Sequence, residues 1–227
     1  MDEIQIKKLI GEKAATFVEH NMIVGLGTGT TAAAFIESLA ERLALEKLDI
    51  TCVATSFASE NLAVSLGIKC VPIDAVHEID ITFDGADEID IQKRMIKGAG
   101  GALLREKILA SASGKLVIMV AAKKQVDFLG KARLPVEVLP FGHTFTKANL
   151  SALGYSLELR KKADGTPFIT DNHNFIYDIH FPSLRKNPEE DELKIRSVPG
   201  VIETGFFFNL AGPVIIGKQD GTLSVLE

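Results

Sequence analysis

The sequence predicts a doubly wound α/β fold with a mostly parallel, Rossmann-like sheet, joined to a second, smaller ferredoxin-like α+β domain. Three observations lead there. Short apolar runs alternate with stretches of helical periodicity through residue 130. Glycine-rich loops follow several of those runs. Beyond residue 130 the pattern changes to β-α-β-β-α-β.

The first domain opens with Leu9, Ile10, Ala14, Phe17 and Val18 at helical spacing, followed by a buried strand over 22–26. Gly27-Thr-Gly-Thr-Thr31 interrupts that strand, and 32–40 continues as a helix with a threonine available as N-cap. Strands are expected at 50–54, 69–73, 79–83 and 116–121, with helices at 56–66 and 102–112 between them. In the second domain, strands at 136–139, 155–160, 174–179 and 201–207 alternate with helices at 144–153 and 189–197, and 163–167 is a turn. The expected division is 1–130 plus 206–227 for the catalytic domain and 131–205 for the small one. Val214–Ile216 is too short to stand alone and is expected to return to the edge of the first sheet.

The chain's 227 residues, 46% of them apolar, suffice for one large or two small domains. Its 25 Lys+Arg against 30 Asp+Glu leave a net charge of −5, which argues against nucleic-acid and membrane surfaces but permits capture of a small anion. Cys52 and Cys70 sit in apolar runs without metal-ligand spacing and read as reduced thiols. The first residues lack the apolar core of a signal peptide, and no run reaches transmembrane length, so a cytoplasmic location is expected. Asn149-Leu-Ser151 matches a glycosylation sequon by chance.

Three motifs carry chemistry. The loop Gly25-Leu-Gly-Thr-Gly-Thr-Thr31 places glycines and hydroxyls before a helix start, where backbone N–H groups favour a phosphate. Thr30 stands where a dinucleotide fingerprint needs glycine, and no P-loop lysine follows, which disfavours NAD and ATP. A tight turn with a threonine cap fits the loop equally well. Asp84-Gly-Ala-Asp-Glu88 ends a strand and sets two carboxylates where α/β folds place ligands, although a solvated acidic loop also explains it. Met95-Ile-Lys-Gly-Ala-Gly-Gly101 runs into a helix that carries Glu106 one to two turns inside. The loop amides can face an oxyanion, while Glu106 can equally be a surface residue in an ion pair. Gly212–Lys218 has P-loop glycine spacing but reads as a strand, and the histidines form no catalytic or metal-binding pattern.

Together these motifs resemble the type A ribose-5-phosphate isomerase family, with further similarity at Arg105-Glu-Lys107, Lys124-Gln-Val-Asp127, Leu134-Pro-Val-Glu137 and Pro199-Gly-Val201. The resemblance implies an aldose–ketose isomerase that interconverts ribose 5-phosphate and ribulose 5-phosphate through an enediolate, without cofactor or metal. It implies Thr28, Gly29, Thr30 and Thr31 as phosphate and substrate contacts, with Lys7 a weaker candidate. It further implies Asp84, Gly85, Ala86 and Asp87 at the sugar hydroxyls and in ring opening, and Lys97, Gly98, Ala99 and Gly100 as the next substrate loop. Lys124 is a further substrate contact, and Glu106 is the base that moves a proton between C2 and C1. A homodimer or homotetramer is implied as well. The chemistry suits these residues, because a carbon acid beside a carbonyl needs a positioned carboxylate and donors for the developing oxyanion. Thr30 stands where the family more often has serine, and Ala99 where it has glycine. Ala99 matters if that position needs φ > 0. Other readings are an aminosugar-phosphate deaminase, a CoA transferase with a glutamate nucleophile, or a sugar-phosphate sensor.

Overall fold

A computed structural model describes residues 1–227. In chain order the first elements are α1 (Glu3–Ala15), β1 (Ile23–Leu26), α2 (Thr30–Glu46), β2 (Thr51–Ala54), α3 (Phe57–Ser65) and β3 (Ile81–Gly85). Next come β4 (Glu88–Ile89), β5 (Met95–Ile96), α4 (Leu103–Ala112), β6 (Leu116–Ala121), β7 (Leu134–Val138), α5 (His143–Ala152) and β8 (Ser156–Leu159). The chain closes with β9 (Phe175–His180), α6 (Pro188–Arg196), β10 (Val201–Thr204), β11 (Phe206–Phe207), β12 (Val214–Gly217) and β13 (Leu223–Leu226).

Two compact units result. Unit 1 comprises 1–86, 105–125 and 209–227; unit 2 comprises 87–104 and 126–208. This differs from the expected division, which left 87–104, 126–130 and 206–208 with the first domain. The reason is pairing: β4 and β5 form a three-stranded sheet with β11 in the order β11-β5-β4, and that sheet belongs to unit 2.

Unit 1 is built on a six-stranded sheet in the order β13-β12-β6-β3-β1-β2, parallel except for β13. Alternation along β2 sends Cys52 into a core with Ile10, Phe35, Leu39 and Phe83, and Val53 into a second cluster with Ile79 and Leu109. Both faces of the sheet are therefore buried, as a parallel sheet requires. Helices α1 and α2 approach at Gly11, where a Cβ would lie 2.6 Å from the Ala34 carbonyl oxygen. The strand expected over 69–73 is absent. Cys70 makes a single bridge to Cys52, and after Pro72 the chain turns into a short 3₁₀ segment. Val214–Gly217 lies inside the sheet rather than at its edge, because an unforeseen β13 pairs beyond it.

In unit 2, β7-α5-β8-β9-α6-β10 builds an antiparallel sheet in the order β10-β7-β9-β8, which is the ferredoxin-like arrangement. Leu134, Val136 and Val138 alternate into a core with Leu150, Tyr177, Ile179 and Ile195. The intervening positions, Pro135 and Glu137, face the other way. No helix in either unit is long and apolar enough to cross a membrane.

Candidate active site

In unit 1, β1 has β2 on one side and β3 on the other, so connections leave in opposite directions at the carboxyl ends of β1 and β3. Such a switch point opens a crevice in α/β sheets, and two of the predicted loops meet there. The Gly27 N–H donates to the Phe83 carbonyl at 2.8 Å, and the Thr28 N–H donates to Asp84 Oδ1 at 3.2 Å. The same oxygen receives the Gly85 N–H at 2.7 Å. Gly27 is required by space, since a Cβ there would lie 2.2 Å from Asp84 Oδ1. Gly29 is required by conformation: its φ is 104° and nothing would crowd a Cβ.

The expected threonine cap is not used. Gly29 is the N-cap of α2 and no side chain caps the helix, so Thr30 and Thr31 form its first turn. Thr28 turns its hydroxyl into a cluster with Thr55 Oγ1 and Ser56 Oγ, both at 2.8 Å. Thr55 and Ser59 tie this cluster to the carbonyls of Leu26 and Gly27. Sequence reasoning missed Thr55, Ser56 and Ser59. Their signal was a run of hydroxyls between a strand and a helix, with Ser56 serving as the N-cap of α3.

Glu106 lies in the first turn of α4, nearer the helix start than expected, and is 3% exposed. Its surface reading is thereby excluded. Asp84 is 1% exposed at the end of β3. Charges are seldom buried without a purpose, because desolvation costs several kcal/mol per ion. Gly85 ends β3 and Ala86 ends this stretch of unit 1. Lys7 is ion-paired with Glu3 at 2.6 Å, and the same carboxylate pairs with Lys123, which holds the Glu3 carboxyl down at about 2. Lys124 is half-buried in the 3₁₀ turn after β6.

Unit 2 carries the remaining candidates. Lys97 is buried between β5 and the glycines, with its ammonium 5.3 Å from the Phe207 ring centroid. Its N–H donates to the Gly205 carbonyl at 2.8 Å. Gly98 (φ 97°) and Gly101 (φ 85°) are the positions that need glycine. Ala99 does not have positive φ, so alanine fits this loop without backbone strain. Ala99 and Gly100 are exposed, and the Ala99 N–H donates to Asp87 Oδ2 at 2.9 Å. Asp87 is half-buried, unlike Asp84. Behind the loop, and missed in the sequence, Arg160 donates to the carbonyls of Gly98 and Ala99.

No group of three or more His, Cys, Asp or Glu side chains in the chain is arranged to hold a metal ion. Cys52 and Cys70 are unbridged thiols; Cys52 is buried, which pushes its thiol well above the ordinary range, and Cys70 is half-buried.

A parallel sheet with a glycine–threonine loop at its switch point and the buried Asp84 carboxylate bonded to that loop has the architecture of an α/β enzyme. The family model of ribose 5-phosphate isomerase A (phosphoriboisomerase A) matches residues 51–221. The chain belongs to that family. It is 49% identical to the ribose-5-phosphate isomerase A of Chlamydia felis over 203 residues, 89% of this chain and 87% of that protein. A solved D-ribose-5-phosphate isomerase in complex with phospho-erythronic acid superposes with a TM-score of 0.94 at 38% identity, covering 100% of both chains. The ribose 5-phosphate isomerase of Plasmodium falciparum also gives 0.94 at 38% identity, covering 99% of this chain and 98% of the other.

Proposed function

We infer that the chain interconverts D-ribose 5-phosphate and D-ribulose 5-phosphate by proton transfer through an enediolate, a step of the non-oxidative pentose phosphate pathway. The observation that carries this reading is the full-length match to an isomerase held with phospho-erythronic acid. That compound joins a phosphate to a planar carboxylate, whose two oxygens mimic the two oxygens of an enediolate, and such mimics bind tightly to the site that stabilises the transition state.

The residue roles are those the family resemblance implies, and the chemistry of the side chains supports them. The phosphate lies at the start of α2 on the Thr28–Thr31 loop, where the first-turn amides of the helix and the helix dipole attract an anion. Lys7, ion-paired with Glu3, and Lys124 are the further cations assigned to the substrate. Glu106 accepts the proton from C2 of the open-chain aldose; the released electron pair forms the C1–C2 double bond and leaves negative charge on O1. Lys97 and the Gly100 amide of its loop balance that charge. Glu106 then returns the proton to C1, while the O2 hydroxyl proton moves to O1 and C2 becomes the carbonyl. Asp87, half-buried, relays the hydroxyl protons and those of ring opening. Asp84 takes part at the sugar hydroxyls while organising the loops that meet at the switch point.

A cytoplasmic location suits the acidic chain and its two unbridged thiols. Self-association as a homodimer or homotetramer is supported by the apolar surface of unit 2, where Phe141 is 88% and Phe145 77% exposed. The reaction is tested by incubating the protein with ribose 5-phosphate and, separately, with glucosamine 6-phosphate. Ribulose 5-phosphate is expected to form in the first and no ammonia in the second. Ammonia release without pentose isomerisation would overturn the reading in favour of a deaminase.

A further inference from the structure

We propose that Arg160, locked by Asp178, is the positioning residue that aims the Ala99 and Gly100 amides of the lysine–glycine loop. The inference rests on the reading of that loop as the oxyanion side of the site. It begins with burial: Arg160 is 7% exposed and Asp178 1%. The guanidinium meets the carboxylate edge to edge, Nε to Oδ2 at 2.9 Å and Nη2 to Oδ1 at 2.5 Å, which is the bidentate geometry that fixes an arginine most firmly. The Arg160 backbone is pinned too, its N–H on the Ile176 carbonyl and its carbonyl on the Phe168 N–H.

With that edge committed to Asp178, the outward nitrogen Nη1 donates to the Gly98 carbonyl at 3.0 Å and to the Ala99 carbonyl at 3.1 Å. Every peptide bond in the chain is trans. In a trans peptide C=O and N–H point in opposite directions, so anchoring these two carbonyls sends the N–H groups of Ala99 and Gly100 away from Arg160. The first arrives at Asp87 Oδ2 at 2.9 Å, and the second belongs to the exposed Gly100. A charged donor on a carbonyl also polarises the peptide and strengthens its N–H as a donor.

Charge balance alone does not require this arrangement. Arg133 already brings a cation to 3.3 Å from Asp178 Oδ2, so the buried carboxylate has a second partner. What only Arg160 supplies is a fork that reaches Asp178 and both carbonyls together. Preorganised donors of this kind lower the barrier because they need not reorient as charge develops.

The test compares the parent protein with Arg160→Lys. Lysine keeps the charge but presents no planar fork. The variant is expected to lose about a hundredfold in kcat with a smaller change in KM, and about tenfold in affinity for phospho-erythronic acid, while inorganic phosphate binds within about twofold of parent. A variant with all of these values unchanged overturns the proposal. So does a parallel loss of both ligands together with a lower melting temperature, which assigns Arg160 to the stability of unit 2. A second measurement uses the parent alone: the Gly100 amide proton is expected to shift in nitrogen–proton spectra on adding phospho-erythronic acid and not on adding inorganic phosphate. An unmoved Gly100 amide overturns the proposal even where Arg160→Lys does not fold. Absence of turnover by the parent counts against the isomerase reading, whereas an active parent with an indifferent variant removes the positioning role alone.

Discussion

The Gly25–Thr31 loop of unit 1 and the lysine–glycine loop of unit 2 are both glycine-rich and both run into a helix, yet they are held differently. In unit 1 the fit is steric and short-ranged. A Cβ at Gly25 would lie 1.9 Å from Thr82 Oγ1 and one at Gly27 2.2 Å from Asp84 Oδ1, and the remaining ties are the Thr28 N–H on the Asp84 carboxylate and hydroxyls from the segment after β2. In unit 2 the loop rests on a buried ion pair, Arg160 with Asp178. The difference teaches that similar composition conceals two modes of failure: the first loop is sensitive to added volume, the second to lost charge.

That contrast can be broken at several points. Unit 2 also buries a second carboxylate, Glu137, whose Oε1 accepts from Thr170 Oγ1, Asn172 Nδ2 and Asn174 Nδ2 and so suspends the 170–174 turn. Glu137→Ala leaves three donors unanswered and is expected to cost about 3 kcal/mol in denaturant unfolding, more than a cavity of that size would explain. A loss under about 1 kcal/mol would show that charge does not organise unit 2. In unit 1, Gly27→Ala must push Asp84 aside. A displacement near 1 Å predicts a fall in kcat of about a hundredfold with a nearly unchanged circular dichroism spectrum. Full activity would mean that the crowding there is relieved without moving the carboxylate.

Ala99→Gly sharpens the comparison from the other side. Since Ala99 has ordinary backbone angles, glycine adds only freedom to the unfolded chain, and stability should fall by about 0.5–1 kcal/mol with kcat within about twofold. A large gain in kcat would mean that the alanine strains the loop. The smallest effect concerns Glu3, which belongs to neither mode. Its carboxyl is held down to about 2 in the folded chain by Lys123 and then Lys7. A depressed folded value stabilises above the ordinary carboxyl range, and the contribution fades as pH falls from about 4.5 toward 2. The pair is exposed and screened, so Glu3→Gln should flatten the melting temperature against pH only slightly in that window, and less so in high salt. A steeper acid slope in the variant would contradict the sign.

Much of this was legible in the sequence because it depends on local periodicity. The β/α alternation of unit 1 and the β-α-β-β-α-β order of unit 2 both leave period-2 and period-3.6 signals. The 69–73 run misled because a short apolar stretch looks like a strand whether or not a ladder forms, and Pro72 cannot donate to one. Strand β13 was missed although Asp220-Gly221, with φ 85° at the glycine, marks the hairpin turn before it. At the site, glycines and acids announced the loops, but not which glycine needs positive φ. Gly98 and Gly101 do; Ala99 between them does not. The supports were invisible for a simpler reason. Arg160 and Asp178 are 18 residues apart, and Arg160 is 62 residues from Gly98, so no spacing connects them before the sheet is built.

The central claim is that Glu106 moves the carbon-bound proton. Its most direct test is exchange at C2 of ribose 5-phosphate in deuterated water, followed for the parent protein and for Glu106→Gln. The account predicts deuterium entering the pentose phosphate with the parent, a loss of several orders of magnitude in both exchange and turnover with the variant, and inorganic phosphate bound equally by the two. Exchange at near-parental rate in Glu106→Gln would contradict it and assign the proton to another carboxylate.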